Sequence, residues 1–139
     1  MRQTTGILRI QTPGRGLVEI SRDVASWQAD QAIRVGLLTL FCRHTSASLL
    51  IQENAAPEVR TDLEDFFATI APEDPERYTH GEEGSDDMPA HIRAALTSAH
   101  LAVPIMDGKL ALGIWQGVYL FEHRRRPHLR EIALHLIGE

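Results

Sequence analysis

The chain has 139 residues, of which 43% are hydrophobic and 24% charged, enough apolar material for one compact domain spanning residues 1–139. Its formal net charge is -5, the wrong sign for a domain that wraps nucleic acid, so no nucleic-acid partner is expected. No apolar run reaches membrane-span length, the N-terminus carries no apolar leader, and the one cysteine, Cys42, sits inside an apolar run; these features predict a cytoplasmic protein with a buried thiol and no membrane partner.

Taken in chain order, Thr4–Gln11 and Leu17–Ile20 are apolar and β-branched segments on either side of Pro13-Gly14-Arg15-Gly16, which reads as a hairpin. Ser21 is placed as the cap of a short helix whose Val24, Trp27 and Ala32 face the core. Gly36 opens a strand, Leu-Leu-Thr-Leu-Phe-Cys, and Ala47–Gln52 follows after the polar break Arg43-His44-Thr45-Ser46. Asn54 then serves as cap and Pro57 as first-turn residue of a helix with Val59, Leu63, Phe66, Phe67 and Ile70 at helical spacing, stopped by Pro72. A long polar loop runs from Ala71 to Asp87, and Asp87 caps another helix with Ile92 and Leu96 as its apolar stripe. The remainder reads as strands over 101–106, 109–112, 117–122 and 131–137, with Asp107-Gly108 as a hairpin turn. The sum is an α+β fold: a mainly antiparallel β-sheet or sandwich packed with two or three helices.

Three polar clusters stand at the ends of these elements. The loop Tyr78–His91 holds two histidines, His80 and His91, around Glu82, Glu83, Asp86 and Asp87. Imidazoles and carboxylates are the donors of zinc and its neighbours, and a flexible loop lets the two rings converge. A third ligand is expected from His44 or His123, both at strand ends; the other reading makes each histidine a surface or capping group. Arg43, His44, Thr45 and Ser46 offer a guanidinium, an imidazole and two hydroxyls to a phosphate, or else form a polar turn. Arg124-Arg125-Arg126-Pro127-His128 is either a solvated hairpin tip or a local positive patch for a phosphorylated substrate. Asn54 is a helix cap or, with Glu53, part of the site. Trp115 reads as core or subunit contact.

The segments R-H-T-S-A-S-L-L-I-Q-E-N (43–54), Y-T-H (78–80), D-M-P-A-H-I (87–92) and L-A-L-G-I-W-Q-G-V-Y-L-F-E-H-R (110–124) together resemble the YjbQ-like family, also labelled secondary thiamine-phosphate synthase. The resemblance runs from about residue 7 to 135; Ile114 stands where the family usually has threonine. It implies a compact α+β homotrimer with sites near subunit boundaries, and a polar cleft that includes His44, His80, His91, Glu122 and His123. The implied reaction joins a hydroxymethylpyrimidine diphosphate to a thiazole phosphate and releases pyrophosphate. Such chemistry needs a divalent metal and cations on the departing phosphates. His80, His91 and His123 are the expected metal ligands, with zinc ahead of magnesium because imidazoles dominate the set. His44, Asp87 and Glu122 are the expected proton-moving groups. Arg43, Thr45, Ser46, Asn54 and Arg124 are the expected substrate contacts. The competing expectations are a zinc-dependent hydrolase of a phosphorylated or amide substrate and a non-catalytic trimer that binds a metal or metabolite.

Overall fold

The computed structural model describes residues 1–139. Eight strands and three helices follow one another as β1 (Arg2–Gln11), β2 (Gly16–Glu19), α1 (Ser21–Asp30), β3 (Gly36–Cys42), β4 (Ala47–Glu53), α2 (Pro57–Ile70), α3 (Asp87–Leu96), β5 (His100–Met106), β6 (Lys109–Leu110), β7 (Gln116–Glu122) and β8 (Leu129–Gly138), with one 3₁₀ turn at Pro75–Arg77. A five-stranded sheet is ordered β1-β8-β3-β5-β6 and a three-stranded sheet β2-β7-β4. Every pairing is antiparallel. The fold is therefore α+β, as composition and patterning predict.

Alternation explains how the sheets meet. Along β8 the even positions Arg130, Ile132, Leu134 and Leu136 are buried, and the odd ones between them are half-covered, as the two-residue period of a strand dictates. Leu38 and Leu40 of β3, Val103 and Ile105 of β5, Leu49 of β4 and Val118 and Leu120 of β7 join them in one apolar cluster between the sheets. The odd residues of β7 are buried too, because its second face lies under the helices: Phe121 meets Phe67 of α2 edge-on at 5.4 Å, and Arg60 lies over Tyr119. Cys42 is buried, and burial pushes its thiol pKa up.

Several expected elements take a different form. The segments around Pro13-Gly14-Arg15-Gly16 do not pair with each other: β1 pairs with β8 and β2 with β7. The turn is a crossover between sheets. Gly14, at φ 127°, makes it possible, since a Cβ there would lie 2.7 Å from the Arg125 carbonyl oxygen. Arg124–His128 is the matching crossover from β7 to β8 rather than a hairpin tip, and the two are stitched together by Thr12 N–H to the His128 carbonyl at 2.8 Å. By contrast, Asp107-Gly108 does close the β5–β6 hairpin, with positive φ at both positions (50° and 78°).

The helices also depart from the apolar stripes read from their spacing. In α1, Val24 is buried and Trp27 packs on the core, but Ala32 lies beyond the helix end and is exposed. Ser21 begins the helix, and its hydroxyl accepts from Val118 N–H instead of capping. In α2 only Phe67 is buried, while Phe66 is 57% and Ile70 42% exposed. Asn54 does not cap it. No side chain caps it; the Glu53 carboxylate instead accepts from Ala55 and Ala56 N–H at 3.0 and 2.8 Å, fixing the turn that leads into the helix. In α3 the buried residues are Asp87, Pro89, Ala90 and Arg93; Leu96 is 59% exposed. Its inward face is polar because what it meets is polar: Arg93 binds Glu64 of α2, and Asp87 binds Arg124.

Candidate metal centre

The three polar clusters of the sequence converge on the N-terminus of α3. Asp87 is the first residue of this helix and His91 lies one turn later, so both project from the same face. His80 comes from the preceding loop. That loop is fixed by three bonds: Asp74 caps the 3₁₀ turn, the Tyr78 hydroxyl donates to the Pro72 carbonyl at 2.7 Å, and Arg124 donates to the Glu83 carbonyl at 2.9 Å. His80 Nε2 and His91 Nε2 then stand 3.0 and 3.2 Å from the same oxygen, Asp87 Oδ2. One ligand atom from each of His80, Asp87 and His91 lies within 4.8 Å of the others. The rings are open to solvent (47% and 31% exposed) and the carboxylate behind them is closed off at 3%. A ligand therefore approaches from the histidine side, where a small cavity of about 60 Å³ opens beside His80, lined by Tyr78, Gly81, Ser85 and Met88 among others.

Each group of the cluster has a partner behind it. His91 Nδ1 lies 3.1 Å from the Thr45 carbonyl oxygen. A carbonyl can only accept, so Nδ1 carries a proton, and in the neutral ring Nε2 is a bare lone pair aimed at the Asp87 carboxylate. Two lone pairs at hydrogen-bond distance repel each other. The geometry is satisfied by a cation between them, whether a proton or a metal ion. Asp87 Oδ1 in turn accepts from Arg124 Nη1 at 2.8 Å, and Arg124 also grips Asp86 through Nε at 3.1 Å. Burial alone would raise the Asp86 carboxyl, but Arg125 N–H and the Arg124 guanidinium outweigh it and hold the group below its ordinary range. Neither Asp86 nor Asp87 caps α3 through its side chain; both carboxylates are committed to Arg124, at the helix end where the macrodipole favours negative charge.

The other expected site residues are placed as follows. His123 is fully buried, does not join the His80–Asp87–His91 cluster, and has Nε2 2.8 Å from the Ser48 hydroxyl. Thr97 Oγ1 reaches both the Arg93 carbonyl and Ser48 Oγ, at 2.8 and 2.5 Å. The single Thr97 hydroxyl proton goes to the carbonyl, which can only accept. Ser48 then donates to Thr97 and accepts from His123 Nε2–H, leaving the buried Nδ1 without a partner. Burial, followed by the charges of Arg93, Arg130 and Arg15, holds the His123 pKa down to about 3. Three cations that repel a proton there also oppose a metal ion.

Glu122 is 0% exposed and has no face open to a substrate. Arg130 binds both its oxygens, Thr12 donates to Oε1 at 2.6 Å and Arg124 N–H donates to Oε2 at 3.2 Å. Burial would raise this carboxyl; the donors from Arg130, Thr12 and Arg124 more than offset it and keep it low. His44 is half-buried with Nε2 accepting from Glu131 N–H at 2.8 Å. Burial and then Arg130 lower its pKa, so at neutral pH it offers a hydrogen bond through Nδ1–H rather than a transferable proton. Arg43 is half-exposed and paired with Glu131 at 3.0 Å. Thr45 contributes its carbonyl, and the Ser46 hydroxyl is held by Arg130 at 3.0 Å. Asn54 lies just past the far end of β4 and Ser46 just before its start, so about 26 Å separates them at ~3.3 Å per residue.

Pattern reasoning overlooked Arg130 and Arg93. A signal for Arg130 was present: it occupies a core-facing parity position in an otherwise alternating strand, and a buried charge demands a partner. Arg93 sits at +3 and +6 from Ala90 and Asp87, the face that is buried.

An α+β protein of two antiparallel sheets, with a two-histidine, one-carboxylate cluster at a helix N-terminus, is the class that fold and site define. The chain belongs to the YjbQ-like UPF0047 family: the family described as "UPF0047 protein YjbQ-like" matches residues 7–139. It is 53% identical to the UPF0047 protein sll1880 of Synechocystis sp. over 99% of this chain and 94% of that one. It is 39% identical to the UPF0047 protein YjbQ of Escherichia coli O157:H7 over 95% and 96%. The crystal structure of the conserved hypothetical protein TT1486 from Thermus thermophilus is similar at 36% identity and a TM-score of 0.83, covering 95% of this chain and 99% of the other.

Proposed function

We propose that the protein is a metal-assisted transferase of the thiamine-phosphate synthase kind, joining a hydroxymethylpyrimidine diphosphate to a thiazole phosphate with release of pyrophosphate. The observation that carries this reading is the His91 geometry: a ring whose Nδ1 is committed to the Thr45 carbonyl turns an unprotonated nitrogen toward a carboxylate that His80 also faces. Two imidazole nitrogens and one carboxylate oxygen suit zinc, with magnesium a poorer match. The protein's own groups then divide the work. Asp87, held by Arg124, keeps the negative charge of the site in place, and Thr45 keeps His91 in its ligating tautomer. A divalent ion would stabilise the charge that develops on the departing pyrophosphate. Arg126, exposed on the crossover from β7 to β8, is available to phosphate oxygens, and Arg43 would serve them by exchanging its exposed pairing with Glu131. A reaction of soluble phosphorylated metabolites fits the cytoplasm, and no helix is long and apolar enough to cross a membrane. We further propose self-association as a homotrimer, a reading supported by large apolar side chains left uncovered on the single chain, among them Phe41, Leu96, Ile114 and Trp115.

The test combines metal analysis with turnover. The purified protein is expected to carry about one zinc per chain, and His80→Ala, His91→Ala and Asp87→Asn each to weaken its binding about a hundredfold or more, since each removes one of three donors. With the two phosphorylated substrates, product formation should stop on chelation and return with metal. Full metal loading with no condensation product, and no thiamine-independent growth of a synthase-deficient host, would sink the synthase assignment. The donor set favours one second reading, a zinc-dependent hydrolase, because two histidines and a carboxylate prefer zinc. Turnover on phosphoesters or amides without condensation would select it.

A further inference from the structure

Arg130 and Glu122 form an ion pair that is 4% and 0% exposed, closed by both guanidinium nitrogens Nε and Nη2 on the two carboxylate oxygens. Neither residue touches the His80–Asp87–His91 cluster. A buried pair of this kind costs desolvation that its attraction only roughly offsets, so stability alone is a weak reason for it. Its remaining bonds lead to the two supports of the cluster. Arg130 Nη2 donates to both the carbonyl and the hydroxyl of Ser46, at 3.2 and 3.0 Å. Ser46 directly follows Thr45, whose carbonyl sets the tautomer of His91. On the other side, Glu122 Oε2 accepts the backbone N–H of Arg124, whose guanidinium holds Asp87 Oδ1. Thr12 locks the pair from a third side, donating to Glu122 Oε1 while its hydroxyl oxygen accepts from His128 N–H at 3.0 Å.

We infer that Arg130, locked to Glu122, is a positioning residue that keeps the Thr45–Ser46 turn and Arg124 in register, and through them the ligating tautomer of His91 and the orientation of Asp87. The inference deepens the metal-centre reading and rests on it for its functional meaning, but the hydrogen bonds it is argued from involve only groups of this chain. β8 carries Arg130 and β7 carries Glu122, so the two crossover segments share one rigid anchor at the point where the sheets part. An arginine is required because only its planar fork reaches two carboxylate oxygens and the Ser46 group at once.

The experiment reads His91 directly. Ring-nitrogen NMR of the metal-free full-length protein is expected to show His91 as the Nδ1–H tautomer. In Arg130→Lys, and to a smaller extent in Glu122→Gln and Ser46→Ala, that signature should shift toward a mixture of tautomers. Zinc titration of the same variants should show weakening of about tenfold, the range found when a metal ligand loses its outer partner. Should Arg130→Lys fail to fold, Ser46→Ala deletes one of its bonds without disturbing the ion pair and carries the same prediction. An unaltered His91 tautomer in every variant that folds overturns the inference, whatever the zinc result. Conversely, a tautomer shift in a protein that binds no zinc supports the positioning role and dismisses the metal reading.

Discussion

His123 shows how far one residue's surroundings override its chemistry. Next to Glu122 and a run of arginines, its sequence position suggests a ligand or a catalytic ring. Burial and three guanidinium groups instead keep it neutral, with its pKa at about 3 against 6.5 when unfolded. The unfolded chain therefore binds a proton that the folded one refuses between these two values. Stability from His123 is fully present above pH 6.5 and is lost as pH falls through this window, by an amount on the order of several kcal/mol. His44, also lowered, acts in the same direction. Glu122 and Asp86, whose folded values are depressed, keep their contribution until pH drops below the ordinary carboxylate range. Urea midpoints measured from about pH 7 to 4 should fall as pH drops below the unfolded histidine value, and His123→Gln should flatten the fall there. An unchanged slope in that variant would remove His123 as its cause.

At the scale of elements, the strands were the most legible part of the chain. β3, β4, β5 and β8 fall within a residue or two of the segments marked by alternation and β-branching, because a half-buried strand writes its burial into every second residue. What alternation does not carry is the partner. The pairing of β3 with β8 depends on Gly36 and Gly138 facing each other, where a Cβ on Gly138 would run into the Val35 carbonyl oxygen and lie 2.6 Å from Gly36 Cα. Gly138→Val should cost about 1–3 kcal/mol in urea unfolding through this clash. Gly81→Ala, with nothing near its Cβ position, should stay within about 0.5 kcal/mol. Equal midpoints for the two would refute the close-approach account. The helices were less legible. Phe66 and Ile70 of the α2 stripe and Leu96 of the α3 stripe are exposed, because periodicity reports that a face is apolar and not whether it is covered by this chain.

For the whole molecule, those uncovered faces give the proposed homotrimer its test. Sedimentation equilibrium at low micromolar concentration should return three times the chain mass, and a monomer would overturn the proposal. Replacing Trp115, 60% exposed, by serine is the first single change to try for weakening the assembly.

The sequence by itself determined the α+β class, the strand set, the Asp107-Gly108 hairpin and the membership of His80, Asp87 and His91 in one polar loop-and-helix segment. These follow from local rules: period, turn chemistry and the i, i+4 spacing of a helix. Only the tertiary structure decided which strands pair, why Glu122 and His123 turn inward while His80 and His91 turn out, and that Arg124 and Arg130 serve carboxylates of the protein. The physical reason is that a charge in sequence has no sign of its destination. Whether an arginine meets a substrate phosphate or a buried glutamate depends on what the fold brings within hydrogen-bond reach of it, and for Arg130 that is Glu122, the last residue of β7.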